Sequence, residues 1–130
     1  MTADRPRDAL GRPLPMGADP ALAAEPVPDI VGLTDDEAWS TAVAYIDRGL
    51  PFHAHEIFEQ RWRTCAGGVR DAWRALAQWG AALTHEARGN AVGAHRLAER
   101  TLDGLVHADH VPRAIDVDRV RASCEGLRGG

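Results

Sequence analysis

The chain lacks any long apolar run, any basic excess and any paired-cysteine motif. No stretch approaches the roughly 20 apolar residues that cross a bilayer. The first thirty residues also lack the apolar core of a secretory signal. No membrane-spanning or exported protein is expected, and a soluble cytoplasmic one is. The two cysteines, Cys65 and Cys124, lie far apart and form no C-x-x-C pair. Spacing alone leaves a disulfide open, but a reduced chain is the simpler reading. A net charge of -4, from 15 basic and 19 acidic side chains, leaves no surplus to neutralise phosphates. Arginines in the later helical segments are interleaved with Asp and Glu, so no basic face emerges and nucleic acid ranks last among partners. Clean period-2 alternation is missing too, which argues against a sheet. No internal repeat stands out.

What remains is one domain's worth of ordinary globular sequence, 130 residues long. Pro6, Pro13, Pro15, Pro20, Pro26 and Pro28 crowd the start. Proline lacks an N–H donor and biases its predecessor away from helix. Residues 1–32 therefore read as a Pro-rich extended arm, either wrapped on the domain or disordered, and residues 33–128 as a single α-helical domain. Thr34 with Glu37 forms a capping box, and Ala38, Ala42 and Ile46 then recur at helical spacing. Gly49 and Pro51 end that first helix. A second is predicted over about 52–65, a third over 69–88 and a fourth over 91–106. Asp116 is placed to cap a last short one carrying Val117, Val120, Cys124 and Leu127. The fold class is all-α, with four to five helices as packed antiparallel helical hairpins. The third helix is apolar on one face and alanine-rich on the other, so it is expected at the centre, contacted from two sides.

Chemistry concentrates in the second helix, Phe52-His-Ala-His-Glu-Ile-Phe-Glu-Gln-Arg-Trp62. Ala54, Phe58, Trp62 and Cys65 share its apolar face. His55 and Glu59 lie at that face's edge, one turn apart, with Glu56 and Arg63 beyond. His53 points elsewhere and is expected to be exposed. His55-Glu56-x-x-Glu59 is close to the zincin H-E-x-x-H string, with Glu in place of the second His. A His and a carboxylate one turn apart can share a metal ion or orient one another for proton transfer. Two ligands are too few. His85 on the third helix is the best candidate for a third, and His95, on the expected apolar arc of the fourth, is next. His107 and His110 read as solvated. Arg74, Gln78 and His85 form a polar line on the third helix that could meet this strip. The tryptophans and cysteines read as core residues.

The string from Pro51 to Glu59 with Trp62 resembles the domain of unknown function 309 family of bacterial proteins. Trp73-Arg74-Ala75-Leu76-Ala77-Gln78, Thr84-His85, Arg88-Gly89-Asn90 and Gly93-Ala94 resemble it in the same order. The resemblance spans about residues 34–127, and the Pro-Phe and Leu-Thr-His variants look like the actinobacterial branch. It implies packed helical hairpins and marks His55, Glu56, Glu59 and Trp62, with Gln78, His85, Gly89 and Asn90, as signature positions. It implies no reaction. Three readings stay open. One is a structural hydrogen-bond network, in which Glu59 pairs with Arg63 or Arg74. Another is a non-enzymatic module that binds an unknown small molecule or protein in a polar inter-helix pocket of His55, Glu56, Glu59, Trp62, Arg74, Gln78 and His85. The third is a metal-binding protein or metal-dependent hydrolase with a divalent metal on His55, Glu59 and His85 and Glu56 as base. Self-association into a homo-oligomer through the Trp-bearing helices is a further possibility.

Overall fold

The computed structural model describes residues 7–14, 17–19 and 23–129. Five helices build it: α1 (Asp35–Asp47), α2 (Pro51–Thr64), α3 (Arg70–Ala87), α4 (Ala91–His107) and α5 (Val117–Gly129). Among the described residues there is no strand, only an isolated bridge between Arg7 and Pro13.

α1, α4 and α5 begin where a capping side chain supplies an acceptor for a first-turn N–H group. The Thr34 hydroxyl accepts from the Glu37 amide at 3.1 Å, and the Glu37 carboxylate accepts from the Thr34 amide at 3.0 Å. Pro51 stands at the first position of α2, where no N–H is required. Asn90 accepts from Gly93 at the start of α4, and Asp116 accepts from Arg119 at the start of α5, both at 3.0 Å. Gly89, at φ +80°, turns the chain sharply between α3 and α4.

α3 is the central element, packed against α2 on one side and α4 on the other. Both pairs run antiparallel. Trp62 of α2 lies by Arg70 and Arg74 of α3, while His55 lies by Gly80. On the other side Gly104 lies by Ala75, and Gly93 by His85. α1 packs on α2, and α5 packs on α4 and touches α3. The core holds an aromatic group from three helices. The Trp39 and Trp79 rings stack at 6.1 Å, Phe58 lies 5.9 Å from Trp79, and Trp73 lies 6.3 Å from Phe58. The Trp79 indole N–H donates to Ser123 at 2.8 Å and so ties α3 to α5. Both cysteines are free thiols. Burial pushes the Cys124 thiol up to about 11, against a smaller opposing effect of the Thr101 hydroxyl.

The described part of the arm lies on α2. His53 Nε2 meets the Glu25 carbonyl at 2.5 Å, and the Gln60 amide bridges Pro28 and Ile30. Arg88 reaches back to the Leu10 carbonyl at 2.8 Å. Pro6, Pro15 and Pro20 of the expected arm lie outside the described residues.

Two expectations need correction. His53, read as exposed, is buried at 2% exposure, because the arm supplies its hydrogen-bond partner and Tyr45 of α1 tilts against its ring at 5.1 Å. His95, placed on an apolar arc, is exposed: α4 turns Ala94, Ala98 and Thr101 inward.

α2 and α3 approach closely at Gly80. A Cβ added there would fall 2.7 Å from His55 Cα and 3.0 Å from its backbone nitrogen. Backbone cannot swing aside as a side-chain tip can. Gly80→Ala is therefore expected to destabilise the fold by ~1–3 kcal/mol, the usual cost of overpacking. Gly126→Ala, in a helix with nothing within 4 Å of the new methyl, should instead stabilise by ~0.5–1 kcal/mol through helix propensity. Urea denaturation of both variants reads the two signs.

Candidate functional site

The Gly80 approach fixes where His55 leaves the helix seam. Its backbone lies against α3, so its side chain emerges at the rim, 22% exposed. Helical spacing then places Glu59 one turn on and Glu56 beside it. His55 Nε2 stands 3.1 Å from a Glu59 oxygen, and His55 Nδ1 stands 3.5 Å from a Glu56 oxygen. The second Glu59 oxygen accepts from Arg63. Each ring nitrogen thus faces a carboxylate. A neutral imidazole can donate to only one of them, and an imidazolium to both.

The arm closes one end of this strip. Phe52 lies 5.9 Å from the His55 ring, Gly11 packs on the Phe52 side chain, and the Arg7 guanidinium sits 5.2 Å over its ring. The hydrogen bond from His55 holds the Glu56 carboxyl below its usual value of 4.5, against the opposing effect of burial, and the charges of His55, Arg7 and Arg63 act in the same sense as the bond.

His55, Glu56 and Glu59 are the group among the described residues whose donor atoms, one from each, all lie within 4.8 Å of one another, as a metal site requires. The remaining expected residues are not brought to this point. His85 Nδ1 lies 3.0 Å from the Asn90 amide, at the α3–α4 turn. Arg74 forms no ion pair with Glu59. Its guanidinium lies 5.8 Å from the Trp62 ring centroid, with Arg70 at 5.2 Å. Arg74 and Gln78 line a depression toward α4 instead. Arg74, Gln78 and His85 are thus not gathered with His55 and Glu59 at the rim, where the helices meet backbone to backbone at Gly80. His85 is not among the donors brought together with His55 and Glu59; Glu56 is. Buried His53 is the residue near the site that helical periodicity misplaced. Its partner is 28 positions away, and nothing local announces it.

Residues 39–97 match the model of a family described as Domain of unknown function (DUF309). The match takes in most of α1, all of α2 and α3 and the start of α4, and so contains the whole His55–Glu59 strip. No curated protein and no solved structure matches the chain.

The lowered Glu56 value has a stability consequence. A folded-state pKa below the unfolded one contributes stability that is full above the unfolded value and lost as pH falls through the folded value. Glu56→Gln should therefore be less stable than the parent near neutral pH, with the gap closing as pH falls below about 4.5. Chemical denaturation across that range checks it; a gap that persists or widens in acid contradicts it.

Proposed function

We propose that the chain is a non-enzymatic helical binding module whose ligand is a divalent metal cation held by His55, Glu56 and Glu59. The observation that carries this reading is the convergence of three donors within 4.8 Å on one helix. One imidazole and two carboxylates form a borderline-to-hard donor set suited to zinc, manganese or ferrous iron. Three protein ligands leave coordination positions free for water or for a donor from a partner. The strip is also part-buried, with Glu59 at 19% exposure, so a cation there would be screened less than at an open surface. Arg63 at Glu59 competes with the cation for the same carboxylate.

The same reading takes residues 33–128 as one domain of the DUF309 family in a bacterial, cytoplasmic protein. The Pro51-Phe52 and Leu83-Thr84-His85 variants support the actinobacterial branch. The hydrolase reading loses support, since its third ligand His85 is engaged at Asn90 and Glu56 becomes a ligand rather than a free base.

Calorimetric and thermal-shift titration of tag-free protein with zinc and manganese tests this. One equivalent should bind, and a hundredfold excess over Kd should stabilise by ~2.7 kcal/mol. His55→Ala and Glu59→Gln should weaken binding by at least about tenfold, since even losing a group that only supports a ligand costs that much. Arg63→Ala should tighten it. Absence of saturable binding, or unchanged affinity in His55→Ala, overturns the proposal.

A further inference from the structure

The seat of the arm reads a polypeptide main chain. His53 meets the Glu25 carbonyl. The Gln60 side-chain amide donates to the Pro28 carbonyl at 2.9 Å and accepts from the Ile30 amide at 3.0 Å. Other contacts fix direction and register. Arg48 pairs with the Glu25 carboxylate, and Ile30 is buried in the core at 5% exposure. Arg48 caps the end of α1, whereas Gln60 stands next to Arg61, which holds Asp35 at the start of α1. The arm thus follows α2 and runs antiparallel to α1.

To reach this seat the chain must reverse just before α1. It does so at Ile30–Leu33, where the Leu33 amide donates to the Ile30 carbonyl and the Val31 amide to the Asp29 carboxylate, both at 3.0 Å. Gly32 takes φ +88°, a conformation that L side chains rarely adopt. Nothing among the described residues lies within 4 Å of a Cβ added there. Val31, at the tip, is 80% exposed, a large apolar side chain left in water.

The contacts that seat the arm and those that close the turn are therefore separate. A chain whose turn opens between Ile30 and Leu33 gives up the Leu33–Ile30 hydrogen bond and keeps its arm intact. Every contact of the seat can be remade with the identical arm of a second copy, and such an exchange closes on itself about a two-fold axis. The opened hinges then pass one another at that axis. Each Val31 meets its counterpart there and loses the exposure it has in the single chain.

We propose that the seat takes the arm of a second copy of this chain, in a two-fold dimer exchanged at Val31–Gly32. The Ala24 amide donates to the Arg7 carbonyl at 2.8 Å, so Arg7 and Gly11 travel with the arm. Each copy's Arg7 then lies over the Phe52 ring of the other, beside its His55. The exchange uses a different surface from the cation site and holds with or without a cation there.

Size-exclusion chromatography with light scattering, on the full chain and on a form lacking Val31 and Gly32, tests this. A short linker presents the arm to its own seat at about millimolar effective concentration. The parent should be monomeric at micromolar concentration and dimerise as its own concentration nears that value. Without Val31 and Gly32 the chain cannot reverse, so the shortened form should show twice the monomer mass already at micromolar concentration. Ile30→Asp, which puts a charge at the buried anchor, should return the shortened form to monomer. Isotope-filtered NOEs on mixed 13C-labelled and unlabelled shortened chains supply a readout free of that substitution. Contacts between Ile30 and Gln60 should join labelled to unlabelled copies. A parent still monomeric at millimolar concentration, a monomeric shortened form, a dimer that survives Ile30→Asp, or Ile30–Gln60 contacts confined to single copies overturns the proposal.

Discussion

At Gly80 the α3 backbone lies so close to the backbone of His55 that a side chain would not fit, and much else follows from that contact. With no side chain at Gly80, α2 can lie on α3 almost backbone to backbone. Dispersion and apolar burial then act over the full length of both helices, and the aromatic group of Trp39, Phe58, Trp73 and Trp79 can close beneath them. The same approach sets His55 at the rim of the seam, where a side chain is half in protein and half in water. A carboxylate pair around an imidazole is chemically most useful in such a place, since full burial would penalise its charges and full exposure would screen them.

The arm makes a second contribution. It covers the flank of α2 through backbone carbonyls and the Gln60 amide, and buries His53 in doing so. It also lays Arg7 and Gly11 on Phe52. The strip is thereby bounded by a guanidinium at each end, Arg7 near Glu56 and Arg63 on Glu59. Any cation that enters must displace or outcompete positive charge already present. Every basic residue in the chain other than histidine is arginine, a side chain that stays charged and pairs in fixed geometry, so this competition does not relax with pH.

Legibility in the sequence followed the range of the interaction. The Thr34–Glu37 box, the Asn90 and Asp116 caps and the central position of α3 were readable, because caps and helical periodicity act within a few residues. The His55–Glu59 pair was readable for the same reason. His53 was not, since its partner Glu25 comes from the arm and a helical wheel cannot see it. Arg74 and Gln78 were visible as a polar line. Whether that line meets α2 or α4 depends on how far α3 is rotated, which the close contacts at Gly80 and Gly104 record but no local pattern announces. His85 looked like a third ligand by residue type, whereas its position in the last turn of α3 brings it to Asn90.

What the rim of that seam holds can be read directly. X-ray absorption at the zinc edge, on protein loaded with one equivalent, reads the ligand shell directly. One imidazole nitrogen and carboxylate oxygens should appear at ~2.0–2.2 Å, with the imidazole signature lost in His55→Ala. A shell without imidazole, a shell containing sulfur from Cys65 or Cys124, or zinc that stays fully hydrated would contradict the proposed site.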